Sequence, residues 1–137
     1  MAGEDGDRVL ASPHMRLQRA MIFVKDLPRM RDFYSQMLGV RPVNMTNTES
    51  WADFEAGGAR FALHAIPAEI ARAIQISEPP KPRETSAVKL SFQVDDIENE
   101  RARLTEIGAT FIQRSWGAWE GIDPEGNVFG LCGPESA

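Results

Sequence analysis

The stretch LQRAMIFVKDLPRMRDFYSQMLG, residues 17–39, decides the fold because the spacing of its apolar residues changes partway along. Residues 17–24 have the pattern of a strand. After them, apolar side chains recur three and four positions apart, which places them on one side of a helix. They are Met30, Phe33, Tyr34, Met37 and Leu38. Asp26 precedes the helix as a capping residue and Gly39 follows it as a left-handed stop, so this stretch predicts a strand that leads directly into a helix.

Three short strands are predicted after this helix. They fall at residues 41–45, 50–56 and 60–66, and the pair Gly57-Gly58 supplies the tight turn between the last two. The first half of the chain therefore has the predicted order βαβββ.

The second half of the chain repeats this order. A strand at 88–94, a helix at 95–108 and strands at 109–116, 118–123 and 127–132 are predicted. The segment Val-Lys-Asp-Leu at 24–27 recurs as Val-Asp-Asp-Ile at 94–97, at the same junction of strand and helix. Recurrence of the junction, the cap and the stop in one order indicates an internal duplication.

The length of 137 residues suits a single domain. The predicted divisions are a flexible tail at residues 1–14 and one domain at 15–137, made of module one at about 16–66, a proline-rich linker at 67–86 and module two at about 87–134. Within the linker, residues 68–75 are a candidate for a short helix.

One helix for four strands covers only one face of a sheet, so the other face of each module needs a partner. Pairing the two modules meets this need if their strands curl into a shared cup. The expected fold is α+β, with two βαβββ modules forming a curled mixed sheet and the helices outside. Its inner face would line a cavity for a small molecule.

Three segments resemble the vicinal oxygen chelate superfamily, which includes glyoxalase I, extradiol dioxygenases and bleomycin-resistance proteins. They are KDLPRMRDFYSQMLG at 25–39, FQVDDIE at 92–98 and DPEGNVFGL at 123–131. The resemblance covers about residues 16–134 and implies the glyoxalase/bleomycin resistance/dihydroxybiphenyl dioxygenase-like fold. Members of this superfamily include lyases, isomerases, dioxygenases and metal-free binding proteins, so the fold alone does not choose an activity.

The resemblance also implies where a metal would bind. Metal-dependent members place His, Gln and Glu ligands on the first and last strand of each module. Here the first-strand positions hold Arg19 and Lys89, and the last-strand position after DPEGN holds Gly130. The remaining position is Ala62 in strict register, or His64 if the strand slips by two residues. Because cationic side chains repel a metal ion and glycine offers no donor atom, we expect no metal and no other cofactor.

Strand alternation predicts the lining of the cup, since residues two apart share a face. The predicted lining is Arg19, Met21, Phe23, His64, Lys89, Ser91, Gln93, Glu120 and Gly130. This apolar surface with two cations suits a small molecule that has an apolar body and an anionic group. The alternative is that both cations pair with neighbouring carboxylates and bind no ligand. The candidate carboxylates are Asp53, Glu55 and Glu120.

Three functions follow from these observations. The first is a metal-free protein that binds a small molecule. The second is an enzyme, either a metal-dependent lyase, isomerase or dioxygenase with displaced ligands, in which His64 and two of the candidate carboxylates rebuild the site, or a metal-free enzyme with His64 or Glu120 as the base. The third is a structural or regulatory partner whose cup is vestigial. The missing ligands favour the first function over the second, and no catalytic residue is assigned.

Composition excludes other partners. Lys and Arg total 15 against 20 Asp and Glu, and the net charge of -5 disfavours nucleic acid and anionic membranes. No apolar run is long enough to cross a bilayer. The single cysteine permits no intrachain disulfide, so a cytoplasmic location is expected. Because exposed edge strands favour pairing, we also expect a homodimer.

Overall fold

The computed structural model describes residues 14–134 of the chain. The predicted flexible tail lies, apart from His14, outside the described residues. In chain order the elements are β1 (Arg19–Val24), α1 (Leu27–Leu38), β2 (Trp51–Glu55), β3 (Arg60–Ala65), α2 (Ala68–Ala71), β4 (Leu90–Gln93), α3 (Ile97–Glu106), β5 (Thr110–Gln113), β6 (Trp119–Ile122) and β7 (Val128–Cys132). These elements confirm the α+β fold.

The helix predicted from the opening stretch is α1. The Asp26 side chain accepts a hydrogen bond from the Arg29 N–H at 3.1 Å, which satisfies one of the free donors at the helix start. Gly39 ends the helix with a φ of 76°, a left-handed conformation that costs glycine little. Both predicted ends are therefore confirmed.

The strand predicted at residues 41–45 is wrong, because this segment is a loop beside β2. The Val43 N–H still donates to the Asp53 carbonyl at 2.7 Å. The next contacts come from a side chain, since Asn44 Oδ1 accepts from the Asp53 N–H at 3.0 Å and Asn44 Nδ2 donates to the Trp51 carbonyl at 3.1 Å. The Asn44 amide thus takes the place of a backbone ladder, a common use of asparagine.

The strands form two sheets with the orders β1-β3-β2 and β4-β7-β6-β5. In each sheet the first strand of the module runs parallel to its last strand, β1 with β3 and β4 with β7. The other neighbours are antiparallel. The repeated topology agrees with an internal duplication in which β2 and β3 correspond to β6 and β7, while β5 has no counterpart among the strands of module one.

One hydrophobic core extends across both modules. Phe33 of α1, Phe54 of β2 and Leu63 of β3 lie in the same buried cluster as Leu104 and Phe129 of module two. Because the helix-covered faces of both sheets contribute to it, neither module buries its apolar face alone. The linker contains the predicted short helix as α2, which ends earlier than expected, at Ala71.

The DPEGN turn of module two is fastened to module one by two sets of hydrogen bonds, here called the clasp. In the first, the Tyr34 hydroxyl donates to Asp123 Oδ2 at 2.6 Å. Asp123 is fully buried, and burial raises the pKa of its carboxyl above the ordinary value, while the hydrogen bonds that it accepts, first that of Tyr34, oppose the rise.

The second part of the clasp is the Glu125 carboxylate. It accepts from the Lys25 N–H at 2.8 Å and 3.0 Å, and from the Asp26 N–H at 2.7 Å. Glu125 is 4% exposed, so these charge-assisted bonds satisfy a buried charge. The clasp thereby holds the start of α1 against module two.

Candidate functional site

Each sheet has one face that packs against the core and one face that the helices leave uncovered, here called the open face. On β1, Ile22 and Val24 belong to the core, whereas Met21 and Phe23 are 39% and 58% exposed. Arg19 shares the face of Met21 and Phe23, because residues two apart in a strand point the same way. The alternation predicted for this strand is confirmed.

Strand pairing identifies equivalent positions on the two open faces. In module one a row across β1, β3 and β2 contains Met21, Ala62 and Asp53. In module two the matching row across β4, β7 and β6 contains Ser91, Gly130 and Glu120. Ala62 is therefore the counterpart of Gly130, and the strict register is the one that strand pairing supports. His64 lies in a different row.

Arg19 is bound to the buried Asp53. Its Nε and Nη2 atoms donate to the two carboxylate oxygens, each at 3.2 Å. Arg60 also donates to Asp53, at 2.8 Å, and lies 3.4 Å from Glu55. Asp53 is only 3% exposed, so its charge depends on these two guanidinium groups for compensation.

Lys89 is bound to Glu120 in the equivalent way. Glu120 is 6% exposed and also accepts from Arg114 Nε at 2.7 Å. The hydrogen-bonded Lys89 ammonium holds the pKa of the Glu120 carboxyl below its ordinary value, and Arg114 acts in the same direction against the opposing effect of burial. Arg114 in turn pairs with Glu84 at 3.0 Å and 3.1 Å. Both predicted cations thus have the carboxylate partners of the pairing alternative.

The residues at the four implied metal positions do not fit a metal ion. Arg19 and Lys89 are cations, and Ala62 has no donor atom. A Cβ added at Gly130 would lie 2.9 Å from Ser91 Oγ, so Ser91 would have to shift to make room for a ligating side chain. Within residues 14–134, no group of three or more His, Cys, Asp and Glu side chains could hold a metal. The rebuilt site with His64 therefore has no support in the described part of the chain.

A row of rings crosses module one on the open face. Strand pairing places Phe23, His64 and Trp51 side by side on β1, β3 and β2, and we call these three residues the ring row. The Phe23 and His64 rings are 5.4 Å apart between centroids. The Arg19 guanidinium lies 5.5 Å from the Trp51 ring centroid, within range of a cation–π contact.

Three hollows touch the predicted lining. One, of about 500 Å³, lies at the start of β1 and is lined by Arg19 and Arg60, among others. A cavity of about 130 Å³ at the seam of the modules is lined by Met21 and Val128, among others. A wider groove of about 910 Å³ beside β4 and α3 is lined by Ser91 and Gln93, among others. Ligand pockets usually have volumes of about 300–1,000 Å³. The seam cavity is smaller than this range, whereas the volume of the groove falls inside it.

The predicted lining residues thus form separate groups of contacts instead of one site. Lys89 and Glu120 form one ion-pair cluster, and Phe23 and His64 touch within the ring row. The sequence reasoning missed Arg60 and Arg114 as members of these clusters, whereas it allowed for Trp51 at the mouth of the cup. Alternation along β3 was a usable signal for the first, because Arg60, Ala62 and His64 share a face.

A family model described as Glyoxalase-like domain matches residues 19–132, nearly all of the described chain. The chain belongs to this glyoxalase-like family. The glyoxalase-like domain thus includes both modules and the linker between them, from the first residue of β1 to the last residue of β7.

Solved structures support the same fold. A glyoxalase/bleomycin resistance protein/dioxygenase family enzyme from Burkholderia phytofirmans is 22% identical, covers 87% of this chain and 98% of its own, and has a TM-score of 0.61. The fosfomycin resistance protein FosX from Mesorhizobium loti is 20% identical, with coverages of 85% and 90% and a TM-score of 0.62. A glyoxalase-related enzyme from Fulvimarina pelagi is 15% identical, with both coverages at 88% and a TM-score of 0.61.

The search of curated proteins found no match. In residues 14–134, no helix has the length and apolar character needed to cross a membrane. The identities to solved structures are low, so these similarities establish the fold of the glyoxalase-like domain, and a fold alone does not choose a ligand or a reaction.

Proposed function

We propose that this glyoxalase-like protein binds a small molecule on its open face without a metal ion. The observation that supports the proposal is the content of the four implied metal positions. Two of them carry Arg19 and Lys89, each hydrogen-bonded to a buried carboxylate. Ala62 and Gly130 occupy the other two and provide no donor. Side-chain cations thus occupy two of the positions at which the resemblance implies metal ligands.

The ligand that suits this surface has an apolar body. Met21 and Phe23 expose apolar side chains on the open face. Covering this area would contribute about 25 cal/mol for each Å² removed from water. The strand fixes the backbone positions from which these side chains project before a ligand arrives.

The predicted preference for an anionic group depends on Lys89. Its side chain is 49% exposed, and an ammonium has three N–H donors, of which Glu120 accepts one. A carboxylate on the ligand can accept from the others. Arg19 is 28% exposed and donates twice to Asp53, so it contributes less to such a preference.

Metal content tests the first part of the proposal. Protein purified without chelators is expected to carry clearly substoichiometric nickel, zinc, iron and manganese by elemental analysis. Chelator is expected to leave the melting temperature unchanged, because only a group that binds the folded state adds to its stability. One metal ion per chain, together with a lower melting temperature in chelator, would contradict the proposal.

A thermal-shift screen of small apolar acids and their neutral amides tests the second part. The acids are expected to stabilise the protein more than the amides, and Lys89→Met is expected to remove the difference. Glu120 keeps Arg114 as a partner in that variant, and Lys81→Met in the linker serves as the matched control. Equal shifts for acids and amides would limit the cations to structural pairing. No shift with any compound would count against ligand binding itself.

A further inference from the structure

The ring row presents an unusual apolar surface on a sheet face. Phe23 is 58% exposed, although its neighbours Ile22 and Val24 on the same strand belong to the core. Its ring lies against His64, whose other neighbour across the sheet is Trp51. Adjacent rings on one sheet face offer a surface on which a flat aromatic molecule can pack.

The tautomer of His64 follows from its backbone contact. Nδ1 lies 3.0 Å from the Ala65 carbonyl oxygen. A carbonyl oxygen can only accept, so in the neutral ring Nδ1 carries the proton and Nε2 carries the lone pair. Among residues 14–134, no hydrogen bond to Nε2 is formed. The ring row therefore contains one hydrogen-bond acceptor that is available to a ligand.

The charges beside the ring row are balanced. Arg19, whose guanidinium lies over the Trp51 ring, gives two hydrogen bonds to Asp53, and Arg60 pairs with both Asp53 and Glu55. Two cations and two carboxylates thus lie together in this part of the open face. Recognition at the ring row depends on stacking and on the His64 acceptor, since no unbalanced charge is present in this cluster.

We propose that the ring row binds the aromatic body of the ligand and that His64 Nε2 accepts a hydrogen bond from an O–H or N–H group on it. The ligand class is an aromatic compound with a hydrogen-bond donor, such as a phenol. This inference rests on the proposed small-molecule binding, and it adds the position of the aromatic body and the polarity of the contact. His64 is a binding residue here, with no proton transfer implied.

Two matched probes test the inference, 4-ethylphenol and 4-ethylanisole, which differ by one methyl group on the oxygen. Calorimetric titration is expected to give about 3- to 10-fold tighter binding of the phenol, the effect of one neutral hydrogen bond. His64→Phe keeps a ring but removes the acceptor, and it is expected to remove this preference. Phe23→Leu is expected to weaken both probes similarly, and Trp116→Phe at the exposed β5–β6 turn is the control that changes neither.

Nitrogen-15 NMR of the imidazole gives a readout that does not depend on a variant at His64. The phenol is expected to shift the Nε2 resonance and the anisole to leave it nearly unchanged. His14→Ala removes the signals of the other histidine in the chain. Equal binding of both probes with no Nε2 shift would overturn the inference while leaving metal-free binding of small molecules intact.

Failure of both probes to bind would also overturn the inference. Acids that still stabilise the protein in the thermal-shift screen would then show that the proposed function stands without the ring row. A homodimer in which a second copy covers Phe23 would overturn the inference as well, and light scattering with the Phe23→Leu variant would identify it. Metal-dependent binding of the probes would instead count against the proposed function.

Discussion

The hydroxyl of Tyr34 provides a sharp test of the clasp between the modules. Tyr34→Phe removes one oxygen atom and leaves the ring, which packs against Phe61 with centroids 4.7 Å apart. The lost hydrogen bond of 2.6 Å ends on Asp123, which is fully buried. Because a hydrogen bond to a charged partner contributes about 1.5–3 kcal/mol, the free energy of unfolding at pH 7 is expected to fall by that amount.

The loss is expected to depend on pH. Burial already raises the pKa of Asp123 above 3.8, and the Tyr34 hydroxyl opposes this rise, so the variant raises that pKa further. When folding raises the pKa of a carboxyl, the free energy of unfolding falls as the pH rises from below the unfolded-state pKa to above the folded-state pKa. At acid pH a larger share of the folded carboxyl is protonated than at pH 7, and the loss should shrink toward about 0.5–1.5 kcal/mol, the contribution of a neutral hydrogen bond.

Urea unfolding at both pH values measures these free energies. The midpoint is expected to fall with an unchanged denaturant dependence, and the melting temperature at pH 7 to fall by about 5–15 °C for a domain of this size. In an Asp123→Asn background the effect of Tyr34→Phe should be smaller, as in a double-mutant cycle. Ser35→Ala, which removes a hydroxyl bonded to the neutral Val40 carbonyl, is the control and should show no pH dependence.

The reasoning would be refuted by a loss below about 0.5 kcal/mol at pH 7, the lower limit for an ordinary hydrogen bond. An equal loss at both pH values would refute the role of the Asp123 charge. An equal effect of Tyr34→Phe with and without the Asp123 carboxylate would show that the two side chains are not energetically coupled.

Three further predictions concern packing, acid stability and assembly. Gly121→Ala is expected to lower the free energy of unfolding by about 1–3 kcal/mol, because the added Cβ would lie 2.3 Å from the buried Phe129 ring and overpack the core. Urea unfolding measures this free energy, and an unchanged value would contradict the close approach. Glu120→Gln is expected to destabilise the protein at neutral pH, because the carboxylate that Lys89 binds is removed. Lys89 lowers the folded pKa of Glu120, so the wild type loses stability as the pH falls below the ordinary pKa of 4.5, and the variant should lose less. Thermal unfolding from neutral to acid pH checks this, and parallel curves for variant and wild type would exclude the linkage. Light scattering is expected to give twice the chain mass, since both sheets have edge strands that favour pairing; a single-chain mass across a wide concentration range would count against the homodimer.

Local sequence determined most of the helices and strands. The spacing of Met30, Phe33 and Tyr34, with Asp26 before and Gly39 after, predicted α1 and both of its ends, because helix periodicity and caps involve residues only a few positions apart. The repeat of one strand and helix order predicted the duplicated topology for the same reason. The alternation along β1 also predicted that Arg19 shares a face with Met21 and Phe23, because it requires no long-range contact.

The tertiary structure alone decided how these surfaces are used. Whether Arg19 was an unpaired cation or the partner of Asp53 depended on strand pairing across 34 positions. The loop at residues 41–45 replaced a predicted strand because the Asn44 side chain reached the backbone of β2. The clasp joins Lys25 to Glu125 across 100 positions. Such contacts depend on the register of strands that are distant in the sequence, and a local pattern contains no information about that register.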